Sequence, residues 1–305
     1  MTWAPTPIAA APGLNAAGSQ YRHVSVTPLG GVLGATIGKV DLSQALDDET
    51  VAEIRRALLD HLVIFFHDQD ITPARHKAFG AHFGAFYRHE FVAGMNDEHP
   101  EIIVVAKTPE DQFNFGGVWH SDITYAKQPP LGSSLHAREV PPHGGDTLFA
   151  NQYLAYEMLS KGMKAMVGGL SAVHSAKHVY GARGALAVEN YQDGQRGTDV
   201  IIDDAAEEES IHPIVRTHPE TGRKALYVNA PFTVGIEGMK REESEPILDY
   251  LYSYSTRPDF TCRFAWRKNS IAFWDNRCVQ HYALNDYPGQ ERIMHRLTIN
   301  GDTPF

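Results

Sequence analysis

From about residue 100 onward the chain is a succession of short apolar runs, each too brief for a helix and each closed by turn chemistry. The runs cover 102–106, 135–140, 214–217, 225–229, 260–266, 270–274 and 296–299. Between them stand turns such as Pro141-Pro-His-Gly-Gly145, His218-Pro-Glu-Thr-Gly222 and Asn285-Asp-Tyr-Pro-Gly289. A doubly wound parallel sheet would separate its strands by regular helices, so this pattern selects a sandwich or barrel instead. Helical spacing interrupts it twice: over 151–168, and over 242–255, where Ile247, Leu248, Leu251 and Tyr254 share a face.

Before residue 100, 24–40 reads as short strands broken by glycines at 30, 31, 34 and 38. Asp48 is placed to cap a helix carrying Val51, Ile54, Leu58 and Leu59, and a buried strand follows over 61–66. Thr72 and Pro73 open a second helix as N-cap and first residue, and Gly84 is placed to end it. The class expected is mixed α+β, a single β-core domain over 23–305 with helices packed outside it. Residues 1–22, rich in Ala, Pro and Gly, read as a flexible arm. The polar, acidic stretch 181–210 marks a lid spanning about 175–210.

With 27 Lys+Arg against 37 Asp+Glu, the net charge of −10 lacks an electrostatic footprint for nucleic acid. No run approaches 18 apolar residues, so no membrane helix is expected. The first twenty residues lack a signal-peptide pattern, and Cys262 and Cys278 match neither a disulfide framework nor a zinc motif. A cytoplasmic protein with reduced thiols is expected. GxGxxG, GxxxxGK[ST], HExxH and GxSxG are all missing, which removes the usual support for nicotinamide, nucleotide, zincin and serine-hydrolase chemistry.

Sixteen histidines make metal chemistry worth seeking. His120-Ser-Asp122 lies in a β-branched and aromatic stretch, 118–125, where an extended strand would aim both side chains to one side. The two His-Pro-Glu triplets, at His99 and His218, sit in turn-like sequence instead. Two neutral imidazoles and one carboxylate on one face suit iron(II), and His281, just after the run 270–274, is the best candidate for the third ligand. Arg292 and Arg296 in the next strand are costly to bury unless they meet an anion. Thr147 adds a hydroxyl donor for the same anion. A dicarboxylate chelating iron at one end and meeting Arg292 and Thr147 at the other is 2-oxoglutarate.

The segments Trp119-His-Ser-Asp122, Gly144-Gly-Asp-Thr147, Trp274-Asp-Asn-Arg277 with Gln280-His281, and Arg292-Ile-Met-His-Arg296 occur in an order that resembles the taurine/alpha-ketoglutarate dioxygenase (TauD/TfdA) family, from about Val24 to the C-terminus. The resemblance implies a double-stranded β-helix (jelly-roll) core with flanking helices. It implies catalytic iron(II) on His120, Asp122 and His281, and 2-oxoglutarate held by Arg292 and Thr147. Dioxygen is the further cosubstrate, and succinate and carbon dioxide leave as a C–H bond is hydroxylated. Asp122, absent in related halogenases, favours hydroxylation. Substrate contacts are implied for His89, Tyr180, Phe232 and Arg296, while Val92 and Gly116 depart from the taurine pattern. The substrate expected is a small organic anion: a sulfonate such as taurine, an alkyl sulfate or a carboxylate. The family often forms dimers or tetramers. The competing readings are a non-catalytic jelly-roll that binds a metal or small anion, and a zinc hydrolase using the same three ligands.

Overall fold

The four residues Val63–Phe66 are buried on both faces, Val63 and Phe65 against one apolar cluster, Ile64 and Phe66 against another. Such a run belongs inside a sheet covered on both sides, because successive side chains point in opposite directions. The structure, a computed structural model, describes residues 21–186 and 197–305. Along the chain come β1 (Ser25–Pro28), β2 (Ala35–Gly38), α1 (Asp48–His61), β3 (Val63–Phe66), α2 (Pro73–Ala81), β4 (Ile102–Lys107), β5 (Gly132–Glu139) and β6 (Thr147–Asn151). Next are α3 (Gln152–Glu157), α4 (Lys161–Val167), β7 (Ser171–Ser175), α5 (Lys177–Tyr180), β8 (Glu209–Pro213), β9 (Val215–Thr217) and β10 (Lys224–Leu226). The last are β11 (Thr233–Ile236), α6 (Arg241–Ser255), β12 (Thr261–Phe264), β13 (Ile271–Asp275), β14 (Val279–Ala283) and β15 (Arg292–Ile299).

The fold is mixed α and β with several sheets. The largest has seven strands in the order β1-β2-β3-β13-β5-β15-β4, antiparallel except for β2 against β3. A three-stranded sheet, β12-β6-β14, packs across the core from its inner face. Phe65 stacks on Phe264 with ring centroids 4.0 Å apart and meets Phe149 edge-on at 5.6 Å. On the outer face α1 and α2 bury Ile54, Leu58 and Phe79 against Phe66 and Phe273. The sheet β11-β7-β8, the pair β10-β9 and helices α3 and α6 enclose a third cluster through Ala172, Leu226, Ile236, Leu154 and Leu251.

Local chemistry moves three of the expected boundaries. Asp47, not Asp48, caps α1, its carboxylate accepting from Thr50 N–H at 2.7 Å. Thr72 caps α2 as expected, but that helix stops at Ala81, ahead of Gly84. The helical stretch 151–168 is two helices, because Ser160 starts a new one by accepting from Met163 N–H at 3.2 Å.

Of the expected arm only Tyr21 and Arg22 are described. They are tied to α1, Tyr21 donating to Asp60 at 2.9 Å and Arg22 N–H to Glu53 at 2.9 Å. Within the expected lid, 187–196 lie outside the described residues. Its flanks are bonded to the body: Val200 bridges Val92, and Thr198 Oγ1 exchanges hydrogen bonds with the Ala106 backbone at 3.0 and 3.1 Å. Among the described residues no helix is long and apolar enough to cross a membrane.

Candidate metal centre and its cavity

Residues 118–125 do not form the strand that their composition predicts. His120 makes one isolated antiparallel bridge to His281, with N–H···O distances of 3.0 and 2.8 Å. The chain then turns at once, with Ile123 at φ 55° and Ala126 N–H returning to Ile123 O at 3.1 Å. Strand pairing stops because the Asn276 side chain intercepts the backbone. Its Oδ1 accepts from Asp122 N–H at 2.7 Å and its Nδ2 donates to Asp122 O at 2.8 Å. Both polar groups that a further ladder residue would use are therefore taken. Left-handed backbone at a β-branched residue costs about 1–3 kcal/mol. His120 and Asp122 thus converge through a bridge and a strained turn, rather than through strand alternation.

All three side chains are buried, and their ligand atoms lie within 4.8 Å of one another. His120 Nε2 and His281 Nε2 stand 3.7 and 3.8 Å from Asp122 Oδ1. Those separations are too long for hydrogen bonds. They suit three donors around one ion at about 2.1 Å each, where neighbouring donors lie about 3 Å or more apart. His120 Nδ1 faces Val118 O at 2.8 Å and must donate to it, which leaves the Nε2 lone pair free for an ion. The Trp274 ring packs 4.6 Å from His281. Asp122 is held by Ser133 Oγ, donating to Oδ2 at 2.7 Å, and by Arg296 Nη1, donating to Oδ1 at 3.0 Å.

The electrostatics keep this set in its ligating form. Burial alone would raise the Asp122 pKa, but Arg296, then His281 and His120, hold it well below the usual carboxylate range. Burial, with His120 beside it, pushes His281 down to about 3. Burial also lowers His120, against the pull of Asp122. At neutral pH the site therefore offers two neutral imidazoles and one carboxylate, the donor set that suits iron(II).

A cavity of about 850 Å³ opens beside these groups. His89, Tyr180, Phe232 and Arg296 line it together with two of the candidate ligands, His120 and Asp122. Much of the rest is apolar, including Phe115, Val118, Ile123 and Leu186. Gly116 is in the wall at φ 78°, where a Cβ would come 3.3 Å from His120 Cε1. Among the described lining residues Asp122 is the only acidic one.

Arg292 and Thr147 lie beyond this wall. Arg292, Met294 and Arg296 are buried at alternate positions of β15, which puts Arg292 about 13 Å along the strand from Arg296. Trp266 brings Arg292 and Thr147 together: its Nε1 donates to Thr147 Oγ1 at 2.9 Å, and the guanidinium lies 5.7 Å over its ring. Thr147 reaches this place through a tight turn with Gly144 and Gly145 at φ 78° and 69°, anchored by Gly145 N–H to Asp286 at 2.7 Å. Among the described residues Arg292 Nε and Nη2 have no hydrogen-bond partner. Two buried cationic donors beside a hydroxyl whose proton is free suit a carboxylate.

A second buried group, His218, Asp275 and Cys278, also has metal-like spacing. Its chemistry is already used. Arg277 holds both Asp275 oxygens at 2.8 and 2.6 Å, and His218 Nε2 donates to Oδ2 at 3.0 Å. His218 Nδ1 accepts from Glu220 and Thr221 N–H, both at 3.2 Å. This is an ion-pair network bracing the turn after β13.

The match to known proteins agrees with this geometry. Residues 25–298 match the family model described as taurine catabolism dioxygenase TauD, TfdA family. The chain belongs to the TauD, TfdA family. It is therefore a 2-oxoglutarate-dependent dioxygenase, and its His-Asp-His site fits iron. A relative in Schizosaccharomyces pombe, a "putative alpha-ketoglutarate-dependent sulfonate dioxygenase", is 36% identical over 285 residues, 90% of this chain and 68% of that protein. A Pseudomonas putida "alpha-ketoglutarate-dependent sulfate ester dioxygenase" is 33% identical over 92% of this chain and 91% of its own. The solved structure of a taurine dioxygenase from Burkholderia xenovorans superposes with a TM-score of 0.76 at 37% identity, covering 93% of this chain and 91% of that one.

Sequence reasoning missed Asn276, Ser133 and Trp266. A signal existed for two of them. Asn276 lies inside the Trp274-Asp-Asn-Arg277 segment, and Ser133-Ser134 are paired hydroxyls at the buried start of a strand. Nothing local marks Trp266 as the partner of a threonine 119 positions away.

Proposed function

We propose that this chain hydroxylates a C–H bond of a small organic anion carrying an apolar body, using iron(II), 2-oxoglutarate and dioxygen. The observation that carries the reading is the convergence of His120, Asp122 and His281 at one buried point, beside a cavity that His120, Asp122 and Arg296 line. His120 and His281 would hold the metal through Nε2, and Asp122 through its carboxylate. When bound, the iron supplies the redox centre at which dioxygen is consumed, 2-oxoglutarate is oxidised to succinate and carbon dioxide, and the substrate is hydroxylated. Arg292 and Thr147 would bind and orient the distal carboxylate of 2-oxoglutarate, the guanidinium supplying Nε–H and Nη2–H. His89 is half-buried beside Arg296, and desolvation with that guanidinium pushes it down to about 3, so it is a neutral hydrogen-bonding group for an anion that Arg296 draws in. Phe232 and Tyr180 would pack against the substrate's carbon body and exclude water.

The lining separates the candidate anions. An ammonium buried here would find no carboxylate apart from Asp122 among the described lining residues. That disfavours taurine and supports an alkyl sulfate or an alkyl or aryl sulfonate or carboxylate, in line with the sulfate ester and sulfonate named for the relatives. The seven-stranded sheet facing β12-β6-β14 supports the double-stranded β-helix reading of the core. Val179, Tyr180, Ala185 and Leu186 in the cavity wall support reading 175–210 as its lid. The test is succinate release with iron(II) and 2-oxoglutarate across alkyl sulfates, alkyl sulfonates, aryloxy carboxylates and taurine. Turnover is expected with apolar-bodied anions and little with taurine. Failure of every one of these anions to stimulate succinate formation would overturn the small-anion substrate proposed.

A further inference from the structure

The turn that presents Asp122 is an unfavourable conformation held by side chains from other parts of the chain. Ile123 is β-branched, 2% exposed and at φ 55°, a backbone region such residues avoid. Left to local preferences, Ile123 would extend, and the Asp122 backbone, with the carboxylate it carries, would lose its fixed placement relative to the two imidazoles. The Asn276 amide restrains it at two points, gripping Asp122 N–H at 2.7 Å and Asp122 O at 2.8 Å. It is itself fixed, its backbone N–H donating to Leu131 O at 2.9 Å between β13 and β14. Behind the turn, Thr124 Oγ1 accepts from Asn229 Nδ2 at 3.0 Å and meets His174 Nδ1 at 3.0 Å. His212 Nε2 donates to Ala126 O at 2.9 Å. Asn276, Asn229, His174 and His212 all stand outside the ligand cluster of His120, Asp122 and His281.

We infer that Asn276 is a positioning residue: its two-point grip on the Asp122 backbone holds the strained Ile123 turn in place and so sets the affinity of the His120/Asp122/His281 site for its metal. This inference rests on the metal-site reading above. It goes beyond it by assigning preorganisation of that site to one amide 154 positions away.

Mn(II) binding to the metal-free, full-length protein, followed by titration calorimetry and by the Mn(II) electron paramagnetic resonance signal, tests this without turnover. Asn276→Ala is expected to unfold cooperatively at a lower temperature and to bind Mn(II) about 10–100-fold more weakly, the usual cost of losing a group that orients a ligand. Asn276→Asp keeps the shape and the acceptor but loses the donor to Asp122 O. It is expected to show the same loss, and it serves if the alanine variant does not fold. Adding Ile123→Gly, which makes the positive φ comfortable, to either variant should recover part of the Mn(II) affinity although it lowers the melting temperature further. A purely structural role for Asn276 cannot produce that opposite movement. Wild-type Mn(II) affinity in Asn276→Asp, or no recovery on adding Ile123→Gly, overturns the inference. Asp122→Ala is the separate control: if it still binds Mn(II) as the wild type does, the metal-site reading itself has failed.

Discussion

Replacing Arg292 by methionine should move two measurements in opposite directions. The side chain is 4% exposed on β15, and among the described residues its Nε and Nη2 lack hydrogen-bond partners. Burial pushes the guanidinium below its ordinary pKa. The Trp266 ring at 5.7 Å offsets part of that cost, about 0.5–2 kcal/mol. Apolar replacement of buried ionic groups is typically neutral or stabilising by about 1–4 kcal/mol. Without ligand, Arg292→Met should therefore melt at the wild-type temperature or up to about 8 °C higher, at roughly 2 °C per kcal/mol for a chain of this size. With 2-oxoglutarate the sign reverses. Removing one partner of a buried charge pair costs about 2–5 kcal/mol, so the cosubstrate Kd should rise at least about 30-fold. At a concentration 100 times the wild-type Kd, 2-oxoglutarate stabilises the wild type by about 2.7 kcal/mol, and a 30-fold weaker variant by about 0.9 kcal/mol or less. Thermal melts with Mn(II), with and without 2-oxoglutarate, read both effects, and succinate formation supplies the KM. A ligand-free melting temperature below wild type, combined with an unchanged 2-oxoglutarate stabilisation, would refute the reasoning and make Arg292 a structural cation.

Asp122→Ala should abolish substrate-dependent succinate release. It should also cost about 3–5 kcal/mol in a denaturant titration, because Arg296 loses the carboxylate 3.0 Å away while staying buried; unaltered stability would mean that Arg296 finds another partner. Arg296→Ala should raise the KM of the primary substrate more than that of 2-oxoglutarate, and the reverse ranking in steady-state kinetics would remove Arg296 from the substrate end. Gly116→Val should weaken Mn(II) binding about tenfold or more, since φ 78° strains any side chain and a Cβ would press within 3.3 Å of His120 Cε1; calorimetry showing wild-type affinity would contradict this. Acid should destabilise the fold well above the carboxylate range. Burial holds His174 at about 3 and His136 at about 4, below the unfolded value near 6.5, so between pH 6.5 and 4 the unfolded chain binds more protons than the native one. Each such histidine removes up to about 1.4 kcal/mol per pH unit as pH falls, and a melting temperature that stays flat from pH 7.5 to 5 would be inconsistent with it.

The determinants readable from sequence are those that act within a few residues. Thr72 with Pro73, the Gly144-Gly145 turn and the twofold burial of Val63–Phe66 follow from backbone preferences and side-chain alternation. The chemistry-bearing types were also legible, since a carboxylate two positions from a histidine and two arginines in one buried strand each demand a partner. The partners themselves were decided by the tertiary structure. Residues 118–125 favour a strand locally, but Asn276, 154 positions on, takes the hydrogen bonds that would extend it. Arg296 faces the Asp122 carboxylate because β15 pairs with β5, while Arg292 on the same face meets Trp266. Spacing along a chain sets which side a residue faces, whereas the group waiting on that side depends on which distant strands close the core.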